Sequence, residues 1–346
     1  MRAVEVPEYE LPDEAIAQLP LEPRDSARLL DATDPGAAVA HRHVRDLPEL
    51  LGEGDVLVVN SSRVVPARLR LFKATGGAAE VLLLEQEGDD RRSWTALVRP
   101  GRRLAPGTVL TAAPGTAGAV EVGERLDGGQ RRVRFLADPV HVIETSGTVA
   151  LPPYIRAPLQ DPGRYQTVYA DRPGSVAAPT AGLHLTDEVL DRCRARGVEV
   201  HAVDLAIGLA TFKPVVADRA EEHAIHRERY RVPVETWEAC RTARRVVAVG
   251  TTTVRALETA AATGTMEGSS DLFIRGDFRF AVVDVLLTNF HLPRSTLLLM
   301  LEAFCGPRWR RLYETALAAG YRFLSFGDAM IVGRRSLPGE RAGPGA

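Results

Sequence analysis

Asp55-Val-Leu-Val-Val-Asn60-Ser-Ser-Arg63 is the stretch on which the fold turns. Its apolar centre shows no polar alternation, the pattern of a strand buried on both faces, and Asn60-Ser-Ser-Arg63 reads as a polar strand end. Immediately beyond it the texture changes. From Ala67 to about Ala150 short β-rich runs, Glu80–Glu85, Trp94–Val98, Thr116–Val122 and Arg131–Phe135, alternate with Gly-Gly, Pro-Gly and Asp-Gly-Gly turns. No long amphipathic helix is predicted there, and a block of roughly 80 residues with this pattern reads as an antiparallel barrel or sandwich. After Leu151-Pro-Pro-Tyr-Ile155 helix and strand alternate again. Helices are predicted near 186–196, 234–244, 253–262 and 308–319, and strands near 198–204, 246–249 and 280–287. Strand 55–60 has the character of these later strands. The β-rich block, 68–150, is therefore expected to interrupt one discontinuous α/β domain made of 1–67 and 151–333, with a mobile tail over 334–346.

At 346 residues the chain exceeds what one compact core usually holds. With 45% hydrophobic and 25% charged residues it has the composition of a globular protein, which excludes a chain disordered throughout. No apolar run approaches the ~20 residues of a membrane span. Met1-Arg-Ala-Val-Glu-Val-Pro has acid and proline where a signal peptide has an apolar block, so the chain reads as cytoplasmic. Cys193, Cys240 and Cys305 are odd in number and far apart, which suits helix packing and not a disulfide framework or a thiolate zinc site. A net charge of −2 excludes coating of nucleic acid by bulk electrostatics. It leaves room for a local RNA patch built from the pairs Arg91-Arg92, Arg102-Arg103, Arg131-Arg132, Arg244-Arg245 and Arg310-Arg311, with solvated surface arginine as the competing reading.

Several polar clusters fall at the ends of predicted strands, where open α/β sheets place their ligands. The run Val176-Ala-Ala-Pro179-Thr180-Ala181-Gly182-Leu-His184-Leu-Thr186 is a poor packing segment. It reads either as a strand-to-helix connection with Thr186 as N-cap or as a loop that offers amides and hydroxyls to a ligand. Gly208-Leu-Ala-Thr211-Phe212, Gly250-Thr251-Thr252-Thr-Val-Arg255-Ala-Leu-Glu258 and Thr288-Asn289-Phe-His291-Leu-Pro-Arg-Ser295 occupy equivalent positions. Arg255 and Glu258 share a helix face, so they either pair with each other or Arg255 holds a substrate carboxylate. His184 and His291 are suited to acid, base or clamp roles near neutral pH, against the plainer reading of satisfied structural histidines. His223 and His226 lie i, i+3 but lack the carboxylate spacing of a zincin, and no metal site is expected.

Taken together these runs resemble the S-adenosylmethionine:tRNA ribosyltransferase-isomerase family of queuosine biosynthesis. The resemblance is collinear over nearly the whole chain. It takes in Pro23-Arg-Asp-Ser-Ala-Arg-Leu-Leu30, Asn60-Ser-Ser-Arg-Val-Val-Pro-Ala-Arg68, Leu97-Val-Arg-Pro-Gly101 and Arg164-Tyr-Gln-Thr-Val-Tyr-Ala170. It continues through the 176–186 run, His223-x-x-His226-x-Glu228-x-Tyr230, Ala248-Val-Gly-Thr-Thr252, Leu287–Leu298 and Tyr321–Met330. The resemblance implies an α/β domain interrupted by a β-barrel, and S-adenosylmethionine used as a ribosyl-donating substrate without a metal. The implied acceptor is 7-aminomethyl-7-deazaguanine at the tRNA wobble position, giving epoxyqueuosine-tRNA, adenine and methionine. The sulfonium acidifies the C5′ hydrogens, so a placed base could form an ylide before adenine leaves and the amine attacks.

On this resemblance His184, His291 and Glu258 are the catalytic candidates. Pro179, Thr180, Ala181, Gly182, Thr211, Phe212, Gly250, Thr251, Thr252, Arg255 and Asn289 are candidates for the donor site, and Arg63, Tyr165, His223, His226 and Asp328 for the acceptor and tRNA. Ser61, Ala206, Ala210 and Phe326 depart from the usual Asp, His, Gly and Tyr of the family. They open the alternatives of a small-molecule or free-base acceptor, or of a non-catalytic RNA-binding relative.

Overall fold

The computed structural model describes residues 4–87, 90, 92–208, 219–223, 225 and 227–335. The chain divides into two compact units. The first comprises Met1–Arg63, Pro153–Arg172 and Ala178–Ala346, and the second Val64–Pro152 with Pro173–Ala177.

The second unit is a closed antiparallel barrel of six strands. Around it run Arg68–Lys73, Ala78–Glu87, Ser93–Arg99, Arg131–Phe135, Gly118–Arg125 and Thr108–Thr111, and Phe72 and Lys73 of the first strand pair with Thr111 and Leu110 of the last. Alternate residues such as Ala79, Val81, Leu83, Trp94, Ala96 and Val98 fill its interior, the period-two pattern that closes a small barrel on side chains. Helix Pro139–Ser146 belongs to this unit and was not expected. At eight residues it is too short to impose a clear helical period, and Asp138 caps it by accepting from the Val140 N–H. Arg131 is not a surface arginine. It is 3% exposed, and its guanidinium donates to the carbonyls of Gly123 and Leu104.

The first unit is built on a nine-stranded sheet. Edge to edge it runs Glu267–Ser270, Glu228–Arg231, Glu199–Leu205, Asp55–Asn60, Arg245–Val249, Val285–Asn289, Ala329–Gly333, Arg28–Ala32 and Ala40–His43. The four strands Glu199–Leu205, Asp55–Asn60, Arg245–Val249 and Val285–Asn289 are mutually parallel. Every residue of Asp55–Asn60 is buried, as its unbroken apolar run requires. Leu57, Val59, Val247, Val249, Val285 and Leu287 face a core shared with Leu185, Val189, Leu190 and Cys193, and strand alternation turns Val56, Val58, Val246 and Leu286 to the opposite face. Each such side chain contributes about 1.5–3 kcal/mol of burial. The chain leaves Asp55–Asn60 toward Glu199–Leu205 on one side and later reaches Arg245–Val249 on the other, so the strand order reverses at this point, where α/β folds open a crevice beyond the strand C-termini.

Asp55 anchors the start of the central strand. It is fully buried, accepts from Arg244 at 2.8 Å, Arg245 at 2.6 Å and the Gly52 amide at 3.1 Å. Burial alone would raise its carboxyl. The two guanidiniums and the amide hold it below the usual range. The Arg244–Arg245 pair is therefore a clamp on the sheet.

The predicted strand near 280–287 is shorter and later, Val285–Asn289, because the backbone amides of 281–283 are taken by a side chain. Helix Thr296–Cys305 was not foreseen: its run Thr-Leu-Leu-Leu-Met-Leu is apolar all round, and seven of its ten residues are buried, so it has no polar face to display a period. Arg334 and Arg335, expected in a mobile tail, are tied to the body of the unit, since their amides donate to the Asp284 and Phe304 carbonyls. Residues 336–346 lie outside the described residues. All three cysteines are buried and free, in or at the end of helices. Among the described residues no helix is long and apolar enough to cross a membrane.

Candidate active site

The C-terminal ends of the parallel strands carry the polar residues. Gly250 leaves strand Arg245–Val249 with φ 88°, a conformation that side chains other than glycine's oppose, and turns the chain directly into helix Thr251–Thr263. Its N–H donates to Leu287 on the adjacent strand at 2.8 Å. Asn60, at the end of the central strand, donates to the Leu205 carbonyl at 3.0 Å and accepts from the Leu205 and Ser62 amides at 3.1 Å; its amide nitrogen lies 3.4 Å from the Thr252 hydroxyl. One asparagine thereby ties together the ends of neighbouring strands.

Thr251, Thr252 and Arg255 line a cleft of about 520 Å³ together with His223, Glu228 and Phe273. His223 and Phe273 meet edge to face with centroids 6.0 Å apart. The Arg255 guanidinium lies 2.9 Å from the Glu228 carboxylate, both nearly buried, and donates to the Ser270 carbonyl at 2.9 Å. The i, i+3 pair of Arg255 with Glu258 does not form. Glu258 turns the other way, and its carboxylate accepts from the backbone N–H groups of Ala281 at 2.8 Å, Val282 at 3.0 Å and Val283 at 3.0 Å. Burial raises its carboxyl, against the pull of these three donors and of Arg334. Glu258 thus clamps the segment before strand Val285–Asn289 in place of the pairing with Arg255 that its spacing suggested. Glu228, absent from the sequence-based candidates, is the carboxylate that Arg255 meets instead; the signal was its position in the sequence between His226 and Tyr230.

Asn289 organises the second cluster. Thr180 Oγ1 lies 2.9 Å from Asn289 Oδ1, and Asn289 Nδ2 lies 3.0 Å from His184 Nε2 and 3.2 Å from the Leu324 carbonyl. Thr180–His184 form a single 3₁₀ turn led in by Pro179, with Ala181 and Gly182 buried, and Thr186 caps the following helix Asp187–Ala195 by accepting from the Val189 N–H. The N-cap reading of the 176–186 run holds, and the same turn brings Thr180 and His184 to Asn289. A Cβ on Gly182 would stand 1.8 Å from the Tyr169 hydroxyl, which is why the turn needs glycine. His291 Nε2 lies 3.0 Å from Thr288 Oγ1, its N–H donates to Tyr313 and its carbonyl accepts from Tyr9. Burial lowers His184 to about 4, helped by the charges of Arg322, Arg24 and Arg164, and lowers His291 to about 3. Both rings are therefore neutral at pH 7. They do not face one space: His291 lines a cleft of about 340 Å³ with Thr180, Asn289 and Ser295, and His184 lines another of about 260 Å³ with Arg24, Arg164 and Phe326.

The residues expected on the acceptor side scatter. His223 lines the cleft of Thr251, Thr252 and Arg255, and Arg63 is exposed with its guanidinium on the Ala170 carbonyl at 3.0 Å. Tyr165 is fully buried against Phe326, centroids 5.9 Å apart, so it has no surface to offer an RNA. Asp328 is 1% exposed and accepts from the amides of Arg28 and Arg322, a structural task that its place in a matching run concealed. Thr211, Phe212, Ala210 and His226 lie outside the described residues. Of the other departures, Ser61 bonds Val203 through its amide at 2.9 Å and its hydroxyl at 3.2 Å, Ala206 donates its N–H to Arg229, and Phe326 replaces a phenol with a ring packed on Tyr165.

The chain is 50% identical over 350 residues to the S-adenosylmethionine:tRNA ribosyltransferase-isomerase of Thermus thermophilus, covering 96% of this chain and 100% of that protein. It is 48% identical over 333 residues to the protein of the same name from Rubrobacter xylanophilus, covering 95% and 98%. Among solved structures, the S-adenosylmethionine tRNA ribosyltransferase of Thermotoga maritima matches with a TM-score of 0.53 and 36% identity, over 94% of this chain and 99% of that one. Residues 5–332 match the family described as queuosine biosynthesis protein, and the chain belongs to that family.

Proposed function

We propose that this chain transfers and isomerises the ribosyl moiety of S-adenosylmethionine onto tRNA, the activity for which its relatives are named. In this reading the acceptor is the aminomethyl group of 7-aminomethyl-7-deazaguanine at the wobble position, and adenine and methionine are released. The sulfonium supplies its own activation, so no metal is invoked. What supports the reading, within a chain of this family, is the meeting of Gly250–Thr252 and Asn289–His291 at the C-terminal ends of two adjacent parallel strands, with Thr180 bonded to Asn289.

The chemistry of the cleft lined by Thr251, Thr252 and Arg255 suits the donor. Thr251 and Thr252 bring hydroxyls and a helix start toward ribose or carboxylate, and the rings of His223 and Phe273 offer a surface to a purine. The ion pair of Arg255 with Glu228 presents both signs of charge, complementary to the carboxylate and ammonium of the methionine end. His184 and His291 supply neutral imidazoles to the adjoining clefts.

The test is release of adenine and methionine from S-adenosylmethionine with three acceptors: modified tRNA, its anticodon stem-loop and the free deazaguanine base. Stoichiometric release with the RNA acceptors alone is expected. Release with the free base alone would move the acceptor to a small molecule, and no release with any of them would end the reading.

A further inference from the structure

Asn289 ends strand Val285–Asn289, is 3% exposed, and has three polar neighbours that leave its side chain one orientation. The Leu324 carbonyl, 3.2 Å away, can only accept, so the amide atom facing it is nitrogen; the reverse orientation would oppose two oxygens. The same NH₂ group lies 3.0 Å from His184 Nε2, and the remaining oxygen accepts from the Thr180 hydroxyl at 2.9 Å. A ring nitrogen that faces an N–H carries a lone pair. We infer that Asn289 is a positioning residue that holds His184 in the tautomer with its proton on Nδ1, so that His184 acts as a neutral hydrogen-bond donor and not as a base.

The backbone reinforces this orientation. Leu324 is one of two non-glycine residues with positive φ among the described residues, at 68°. Leucine takes that conformation only when its surroundings impose it. Here its N–H donates to Phe290, the residue after Asn289, at 3.1 Å, and its carbonyl also accepts from Gly327 at 2.9 Å. The carbonyl that fixes the amide is thus itself tied to the end of the same strand. Two chemical consequences follow for a neutral His184. Taking a proton at Nε2 would set N–H against N–H, and giving one up from Nδ1 would leave an imidazolate. Donation of a hydrogen bond from Nδ1 is what remains, the use to which neutral histidines are put as electrophiles beside developing negative charge. Proton acceptance then falls to another group, and His291 is the other imidazole near Asn289, lining a cleft with it.

The tautomer stands independently of the activity, whereas its catalytic use rests on the proposed function. The ¹⁵N-histidine correlation spectrum of the full-length protein tests the first. The expected pattern for His184, assigned by its loss in His184→Gln, is protonated Nδ1 and bare Nε2, and Asn289→Ala should shift it toward protonated Nε2. A wild-type ring protonated at Nε2 overturns the inference whether or not the Asn289 variant folds, and so does an unchanged pattern in a folded Asn289→Ala.

Turnover tests the second. His184→Gln keeps a neutral donor and should exceed His184→Ala by about tenfold, while Asn289→Ala should lose between about tenfold and the ~10⁴-fold that a wrong tautomer costs a serine protease. Equal loss in His184→Gln and His184→Ala would overturn the donor role. Absence of adenine release from the wild type would defeat the functional reading and leave the spectrum to decide the tautomer.

Discussion

Replacing Glu258 by alanine separates a structural carboxylate from a catalytic one. The side chain is 1% exposed and accepts three backbone N–H bonds, from Ala281, Val282 and Val283. A hydrogen bond to a charged group contributes about 1.5–3 kcal/mol, and a buried donor left unpaired costs about 1–3 kcal/mol. Three bonds that share one carboxylate are not additive, so the expected loss is about 3–5 kcal/mol. At about 2–4 °C per kcal/mol for a domain of this size, Tm should fall by roughly 6–20 °C. Glu258→Gln keeps one acceptor oxygen and should lose about half as much. The assay pairs thermal unfolding followed by circular dichroism with adenine release at a temperature where every variant is folded. Turnover of the folded variants should stay within about threefold of wild type. An unaltered Tm combined with a loss of about a hundredfold or more in turnover would refute the reasoning and return Glu258 to the reacting groups.

Three further outcomes are expected. His184 and His291 sit at about 4 and about 3 in the folded protein against 6.5 when exposed, so the unfolded chain binds protons first. Stability should be full above about pH 6.5 and decline as pH falls toward about 4; urea midpoints across that window that stay flat, in wild type and His184→Gln alike, would contradict the burial of neutral rings. Gly182→Ala would bring a methyl 1.8 Å from the Tyr169 hydroxyl, and overpacking of this kind costs about 1–3 kcal/mol. Adding Tyr169→Phe should recover part of it, and a Gly182→Ala protein as stable as wild type would show that the turn has room to spare. Asp55→Ala removes the buried partner of Arg244 and Arg245, whose side chains are 52% and 32% exposed and can turn to water. The loss should therefore be about 1–3 kcal/mol, less than for a fully buried pair, and a change below about 0.5 kcal/mol by urea unfolding would show that the clamp is idle.

Much of this was legible in the residues. Strand 55–60 declared itself because a strand covered on both faces has no polar positions to spare, and the barrel did so through period two and its turn residues. Helix Thr296–Cys305 did not, because burial all round erases the helical period. The strand-end clusters around Gly250 and Asn289 were readable from polar residues following apolar runs. Their partners were not, since hydrogen bonding depends on neighbours distant in the chain. Arg255 meets Glu228, 27 residues earlier across the sheet edge, and not Glu258 one turn along its own helix. Asp328 and Tyr165 illustrate the converse: their membership in matching runs reflects packing, and nothing local distinguishes a buried carboxylate that holds amides from one that meets substrate.

The insertion of the barrel also bears on how the chain folds. The central strand Asp55–Asn60 pairs with Glu199–Leu205 with Asn60 opposite Val203, so a loop of more than a hundred residues must close to form that ladder. Within the barrel, however, the entering strand at Arg68 and Leu69 pairs with the departing segment at Thr148 and Gly147. Once that contact exists, some eighty residues drop out of the loop, and its closure entropy becomes that of roughly half the length, a saving of about 0.6 kcal/mol. The expected order is barrel first and the parallel sheet after it, visible as earlier protection of barrel amides in pulse-labelled hydrogen exchange. The strand ends that carry Asn60, Gly250 and Asn289 would then be brought together late, by a chain that has already shortened itself.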